Sequence, residues 1–192
     1  MMYIFFKRIV DIVISFFCII SISPFFCVVF ILIKFNSKGP IIFTQKRIGL
    51  NYKPFTIYKL RTMKVNKKRI LSQTYLDDDE IFPIGKLLRR YKLDELPQIF
   101  NILIGDMSLI GPRPCLESTI ESMPKWALKR FEIKPGITGL AQVSGNTKLN
   151  WPQRWALDID YINNQSFILD IKIIFSTLFV LLFGEKIKGV KK

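Results

Sequence analysis

From Ile12 to Ile33 the chain carries no charged residue. A helix of that length can reach through a hydrocarbon core about 30 Å thick, which takes roughly 20 residues. Lipid offers no hydrogen bonds, so such a segment must satisfy its own backbone and is expected to be helical. Two details constrain the helix further. Ser23-Pro24 stands at its middle, where proline removes an i−4 hydrogen bond and kinks or breaks a helix. Cations flank both ends, Lys7 and Arg8 before it and Lys34 and Lys38 after it, and positive charge tends to hold a flank on the cytoplasmic side. A helix that enters one leaflet, breaks at Ser23-Pro24 and returns satisfies both details. A single span with a tolerated proline stays open on these grounds alone. A cleaved signal peptide fits less well, because the run is long and no small-residue cleavage pattern follows it.

The length suits one polar domain attached to this membrane segment, with the boundary placed at 1–36 and 37–192. The 29 Lys and Arg against 15 Asp and Glu give a formal net charge of +14. That surplus suits nucleic acid, an anionic membrane surface or small anionic substrates. There is no histidine, so any acid, base, nucleophile or metal ligand must come from carboxylates, lysines, hydroxyls or thiols. Cys18 and Cys27 lie in the apolar run and Cys115 stands alone, a pattern for neither a disulfide framework nor a zinc site. A reducing cytosolic setting follows for the polar part.

After the membrane segment, residues 41–47 and 55–62 read as two strands of a hairpin, joined by a longer loop through Gly49-Leu50-Asn51-Tyr52-Lys53-Pro54. Alternation puts Phe55, Ile57, Lys59 and Arg61 on one face. Two cations so placed could grip a phosphate, or simply be solvated on an edge strand. Residues 65–80 are polar, and Asp77-Asp78-Asp79-Glu80 reads as a solvated acidic loop. Ile84, Leu87, Leu88 and Tyr91 recur at helical spacing, as do Leu96, Ile99, Phe100 and Leu103. The second of these helices is expected to begin near Asp94, to tolerate Pro97 in its first turn and to stop at Gly105. Trp151, Trp155, Ile159 and Ile162 suggest one helix face, suited either to the headgroup zone or to an ordinary core. Ser166 is a cap for a last helix to about Phe183, whose uncharged part is too short to span and suits the interface. Lys186, Lys188, Lys191 and Lys192 form a basic tail, complementary to anionic lipid or merely solvated.

The chemistry concentrates at Asp94-Glu95, between Arg89-Arg90 and the loop Gly105 to Pro114 that carries Arg113. Two acids beside several cations suit a phosphorylated substrate with a divalent metal. A helix N-terminus would favour ionised Asp94, which could then attack phosphorus or bind Mg²⁺. Glu95, its neighbour, faces another way and would manage a proton, the metal or the attacking group. An acid at a helix start is also an ordinary cap, worth about 0.5–2 kcal/mol.

The chain resembles the bacterial sugar transferases, the monotopic polyprenyl-phosphate phosphoglycosyl transferases, in their compact catalytic form. The resemblance runs through Phe6-Lys7-Arg8-Ile9-Val10-Asp11, Ser23-Pro24, the string Gly39 to Gly49, Tyr58-Lys59-Leu60-Arg61-Thr62-Met63, Leu93-Asp94-Glu95-Leu96-Pro97-Gln98, Gly105 to Pro114, Lys134 to Val143 and Leu169-Asp170-Ile171-Lys172. It implies an α+β, mostly helical fold with a re-entrant membrane helix broken at Ser23-Pro24, a small β-hairpin and amphipathic interfacial helices. It implies transfer of a phosphosugar from a UDP-sugar to polyprenyl, specifically undecaprenyl, phosphate with release of UMP, at the cytoplasmic face of the bacterial inner membrane. By position, Asp94 is nucleophile and Mg²⁺ ligand and Glu95 its partner. Arg89 and Arg113 are expected to bind phosphate or nucleotide, with Lys59 and Asp170 in support, and Arg61 keeps its place as the second cation that could grip a phosphate from the hairpin face. The compact form suggests an N-acetylated amino sugar as donor. After Gln142-Val143 many relatives read Asn-Gly-Arg-Asn. Here Ser144-Gly145-Asn146-Thr147 stands instead, which leaves the sugar open. A different class of function, a membrane-anchored basic module that binds nucleic acid or lipid without catalysis, would use the charge but not Asp94. No recognisable nucleic-acid motif supports it, and no nucleic acid is expected as a partner.

Overall fold

The computed structural model describes residues 2–64 and 79–183. Asp77, Asp78 and the basic tail from Lys186 lie outside the described residues, so the expectations for them have no structural counterpart here. The described residues are mostly helical, with two small two-stranded sheets among them.

Helix α1 runs from Met2 to Asn36 with Pro24 inside it. Helical structure continues through Ser23-Pro24, where a break was expected. The local reason is visible. Pro24 has no N–H to give its i−4 carbonyl, that of Ile20, and the Ser23 hydroxyl donates to that carbonyl at 2.8 Å. The serine thus replaces the bond that proline removes.

The two ends of α1 are anchored in different ways. Near its start Tyr3 and Lys7 each reach Asp170 at 2.8 Å. Arg8 donates to the carbonyls of Ile102 and Leu103 at 2.6 and 2.8 Å, and Asp11 accepts from the Leu109 N–H at 3.0 Å. Near its end Phe26, Val29 and Ile33 are buried with Leu60, Phe82 and Leu88. Between these zones, from Phe16 to Phe25, no residue is buried.

Strands β1 (Ile42–Ile48) and β2 (Pro54–Leu60) form the expected antiparallel hairpin. A 3₁₀ turn at Leu50–Tyr52 joins them. Helices α2 (Pro83–Arg90) and α3 (Gln98–Ile104) follow, and Gly105 ends α3 in the left-handed region at φ 102°, as a C-terminal glycine does. The three-residue strands β3 (Ser108–Ile110) and β4 (Gly136–Thr138) pair in parallel. Short helices α4 (Glu117–Ile120) and α5 (Leu140–Val143) lie on either side of a 3₁₀ segment at Lys125–Glu132.

Helix α6 (Trp151–Asn163) opens on a reciprocal capping box. The Gln153 N–H donates to the Asn150 side chain at 2.9 Å, and the Asn150 N–H to the Gln153 side chain at 3.0 Å. Trp155 is buried in a cluster with Ile48, Cys115, Met123, Ala127 and Phe131, so it serves the core. Trp151 remains exposed and stacks on it. Helix α7 (Phe167–Phe183) begins where Ser166 Oγ accepts from the Leu169 N–H at 3.3 Å. Only Asp170 and Ile173 on α7 are buried, and its many remaining apolar side chains are partly or fully exposed.

Candidate active site

Asp94 and Glu95 do not start α3. They lie in a separate 3₁₀ turn, Leu93–Glu95, entered through Lys92 in the left-handed conformation at φ 58°. Helix α3 begins four residues after Asp94, with Pro97 at its N-cap. Proline suits the start of a helix because its missing N–H would lack an intrahelical partner there anyway. The helix therefore starts later than the apolar spacing suggested.

The turn separates the two carboxylates. Glu95 points inward and is buried. Its Oε1 accepts from Lys59 Nζ at 2.7 Å, and Arg113 holds both its oxygens in a two-pronged pair, with Nη1 to Oε2 at 3.0 Å. Burial on its own would raise the Glu95 carboxyl, but Arg113 and Lys59 outweigh it and hold the group well below the usual carboxylate range. Breaking the more buried of these pairs, Lys59 with Glu95, costs about 3–5 kcal/mol, because Lys59 loses its counter-charge. Lys59 is pulled down by burial, and the attraction of Glu95 opposes that fall.

Asp94 stays partly exposed. Among the described residues none donates a hydrogen bond to its carboxylate. Burial, reinforced by the charge of Glu95, pushes Asp94 up to about 6, against the pull of Lys59, Arg89 and Arg113. The expectation that a helix N-terminus favours the ionised form is thus overturned, since Asp94 is not at one and desolvation dominates. At neutral pH the group is still largely ionised. An ionised carboxylate without donors among the described residues, beside several cations, can act as a nucleophile or bind a hard cation.

Arg89 shares this environment. Its Nε donates to Thr62 Oγ1 at 2.8 Å, and its charge acts on Asp94. Two of the expected residues make their described hydrogen bonds away from Asp94 and Glu95. Arg61 donates to the carbonyls of Ser37 and Lys38, and so fastens the chain just after α1. Asp170 receives Tyr3, Lys7 and Tyr161, each at 2.8 Å, none of them a neighbour of the dyad. It ties the start of α1 to α6 and α7. Among the described residues no three carboxylates or thiols gather as a metal cage.

Sequence reasoning passed over a buried pair, Arg130 and Asp158, joined at 3.0 Å. Arg130 also donates to the Arg113 carbonyl at 2.6 Å, so it braces the backbone of a site residue. No periodicity marks this pair, since its members come from distant elements. Arg47 was likewise quoted only as part of a matching string. The strand register that puts it on the same face of the hairpin as Lys59 was the signal that could have found it.

The comparisons with known proteins fit this site. The sequence matches the bacterial sugar transferase family over residues 2–184. It is 38% identical over 184 residues to an uncharacterized sugar transferase, EpsL, of Bacillus subtilis, covering 95% of this chain and 90% of that one. It is 42% identical to a UDP-glucose:undecaprenyl-phosphate glucose-1-phosphate transferase of Klebsiella pneumoniae, covering 91% of this chain but 39% of the relative. It is 36% identical to the exopolysaccharide production protein ExoY of Sinorhizobium fredii, covering 90% of this chain and 83% of that protein. The chain therefore spans nearly all of some relatives and well under half of another. With a match along almost its whole length, it belongs to the bacterial sugar transferase family.

Proposed function

We propose that this protein transfers a phosphosugar from a UDP-sugar to polyprenyl phosphate, of which undecaprenyl phosphate is the expected form, and releases UMP. The observation that carries this reading is the unequal dyad: Glu95 is locked between Lys59 and Arg113, while Asp94 accepts no hydrogen bond from the described residues. In the first step an Asp94 oxygen attacks the β-phosphorus of the donor, and the bond from that phosphorus to the UMP oxygen breaks. UMP leaves, and the phosphosugar stays on Asp94. In the second step a phosphate oxygen of the lipid attacks the same phosphorus and frees the carboxylate. Arg89, Arg113 and Lys59 supply fixed positive charge, which is the main contribution a protein can make to phosphoryl transfer.

Mg²⁺ fits the donor set, because this ion is commonly held by one or two carboxylates together with substrate phosphates. Asp94 would hold it, and the ion would neutralise diphosphate charge. A site of this kind needs no cage of carboxylates.

The same reading includes the membrane. We infer that α1 is re-entrant, so that both its ends and the polar domain lie on the cytoplasmic face of the inner membrane. Support comes from the cations at both ends and from the anchoring of both ends on the polar domain. The exposed apolar side chains of α7 suit the interface alongside it. A lipid phosphate and a soluble nucleotide sugar can meet only at that boundary. A basic anchor without catalysis is disfavoured by the transferase relatives and by the intact dyad.

The test is UMP release by the detergent-solubilised chain with Mg²⁺, undecaprenyl phosphate and a panel of donors that includes UDP-glucose, UDP-galactose and N-acetylated UDP-amino sugars. Release should need lipid for multiple turnovers and should fall on the order of 10³-fold or more in Asp94→Asn, as loss of a nucleophile does. Mass spectrometry of protein quenched without lipid should find the phosphosugar on the peptide containing Asp94. Normal turnover by Asp94→Asn would refute the covalent route.

A further inference from the structure

The site holds one more cation than its described partners explain. Arg47 lies on β1 opposite Phe55, in a register that also pairs Gln45 with Ile57 and Phe43 with Lys59. In an antiparallel pair, opposed residues share a face and alternate residues repeat it. Arg47, Ile57 and Lys59 therefore line one side of the hairpin. With Gln98, Arg113 and Pro114 they line a depression open to solvent.

The charges around this depression do not balance. Glu95 acts on Arg47 through its charge, but both its oxygens are occupied by Lys59 and Arg113. Arg47 meets only neutral acceptors, Gln45 Oε1 at 2.6 Å and the Pro114 carbonyl at 3.5 Å. Its Nε is buried and has no hydrogen-bond partner among the described residues. Burial, together with the like charge of Arg113, outweighs the attraction of Glu95 and pulls Arg47 down to about 10, which still leaves it protonated at neutral pH. A partly buried cation set beside another is unfavourable unless an anion completes the group. A role in tying β1 to the loop at Pro114 does not account for it. The Ile48 N–H already makes that tie, to the Cys115 carbonyl at 3.0 Å.

We propose that Arg47 is a substrate-binding residue that grips the diphosphate of the nucleotide sugar beside Lys59 and Arg113. The planar fork of a guanidinium matches two phosphate oxygens, which an ammonium cannot do. This rests on the transferase reading above, so its test must work without turnover.

The full chain in detergent is titrated calorimetrically with UDP and, separately, with inorganic pyrophosphate, for the parent, Arg47→Gln and Arg47→Lys. Arg47→Gln should weaken both ligands about tenfold or more, the loss expected for hydrogen bonds to a charged group. Its KM for the UDP-sugar should rise by a similar factor, with kcat changed less and the thermal midpoint kept. Arg47→Lys should lie between, because charge returns without the fork. Unchanged affinity in Arg47→Gln would overturn the proposal, and so would a lowered thermal midpoint with unchanged affinity, which would make Arg47 a strand tie. Arg47-dependent pyrophosphate binding without turnover of any donor would keep the anion site and sink the transferase reading. Failure of the parent to bind either ligand would sink both.

Discussion

Asp94 and Glu95 are adjacent in sequence, yet their environments drive them in opposite directions. Glu95 is held well below the usual range by Arg113 and Lys59 once they offset its burial, while burial and Glu95 push Asp94 up to about 6. Two carboxylates with separated protonation behaviour can take separate roles. A pH dependence follows. On the proposed route Asp94 must be ionised to attack, and its raised value means that protonation begins near pH 6 instead of near 4. The burst of UMP released without lipid should therefore fall as pH drops through about 6, approaching tenfold per unit below it. Glu95→Gln removes the like charge and leaves Lys59 and Arg113 uncompensated, so the acid limb should move to lower pH. A limb that stays in place in single-turnover UMP measurements would assign it to another group. The identity of the dyad was legible in the sequence, but the direction of the Asp94 shift was not, because desolvation depends on what packs around the turn. Arg61 and Asp170 show the same limit. Both stand within matching strings, and only the folded chain reveals that they bind the chain after α1 and the first turns of α1.

At the scale of elements, local signals performed well where a residue acts on its immediate neighbours. The hairpin, the stop at Gly105, and the last helix after Ser166 all follow from caps, turns and alternation. The start of α3 did not, since apolar spacing runs through the 3₁₀ turn as well as the helix. The parallel pairing of β3 with β4 was also beyond local signals. It joins Ser108 to Gly136 and Ile110 to Thr138, two three-residue strands far apart in the chain. Close approach makes this pairing fragile. A Cβ at Gly136 would stand 2.1 Å from the Gly111 nitrogen and 2.4 Å from the Thr138 oxygen. Gly136→Ala should lower stability by about 3 kcal/mol or more, at the upper end for overpacking against atoms that cannot yield. Thermal unfolding in detergent reads this directly, and an unchanged midpoint would show that the two strands can separate without cost. Activity should fall with it, because Arg113 lies just beyond β3.

Across the whole molecule, α1 joins parts that are distant in the chain. Asp170 on α7 accepts Tyr3 and Lys7 from α1 and Tyr161 from α6. Asp170→Ala leaves a partly buried ammonium and two hydroxyls without their acceptor, and should cost about 3–5 kcal/mol. The expected sign is a lower thermal midpoint in micelles, with Asp170→Asn intermediate. The re-entrant reading makes a separate prediction. In a chain with Cys18, Cys27 and Cys115 replaced, single cysteines placed at Met2 and at Lys38 should both react from the cytoplasmic side of inverted vesicles with a membrane-impermeant thiol reagent. Labelling of Met2→Cys from the opposite side only would establish a spanning helix.

The sequence alone determined the membrane segment, its flanking cations, the hairpin, the carboxylate pair and the family to which they belong. Each of these resides in residue type and short spacing, which act through local sterics, backbone hydrogen bonding and hydrophobicity. The tertiary structure decided which carboxylate is locked and which accepts no bond from the described residues, which arginines reach the site, and how both ends of α1 meet the polar domain. Those outcomes depend on burial and on ion pairs between residues distant in the chain. Their energies exist only once folding has removed water and set the charges a few ångströms apart.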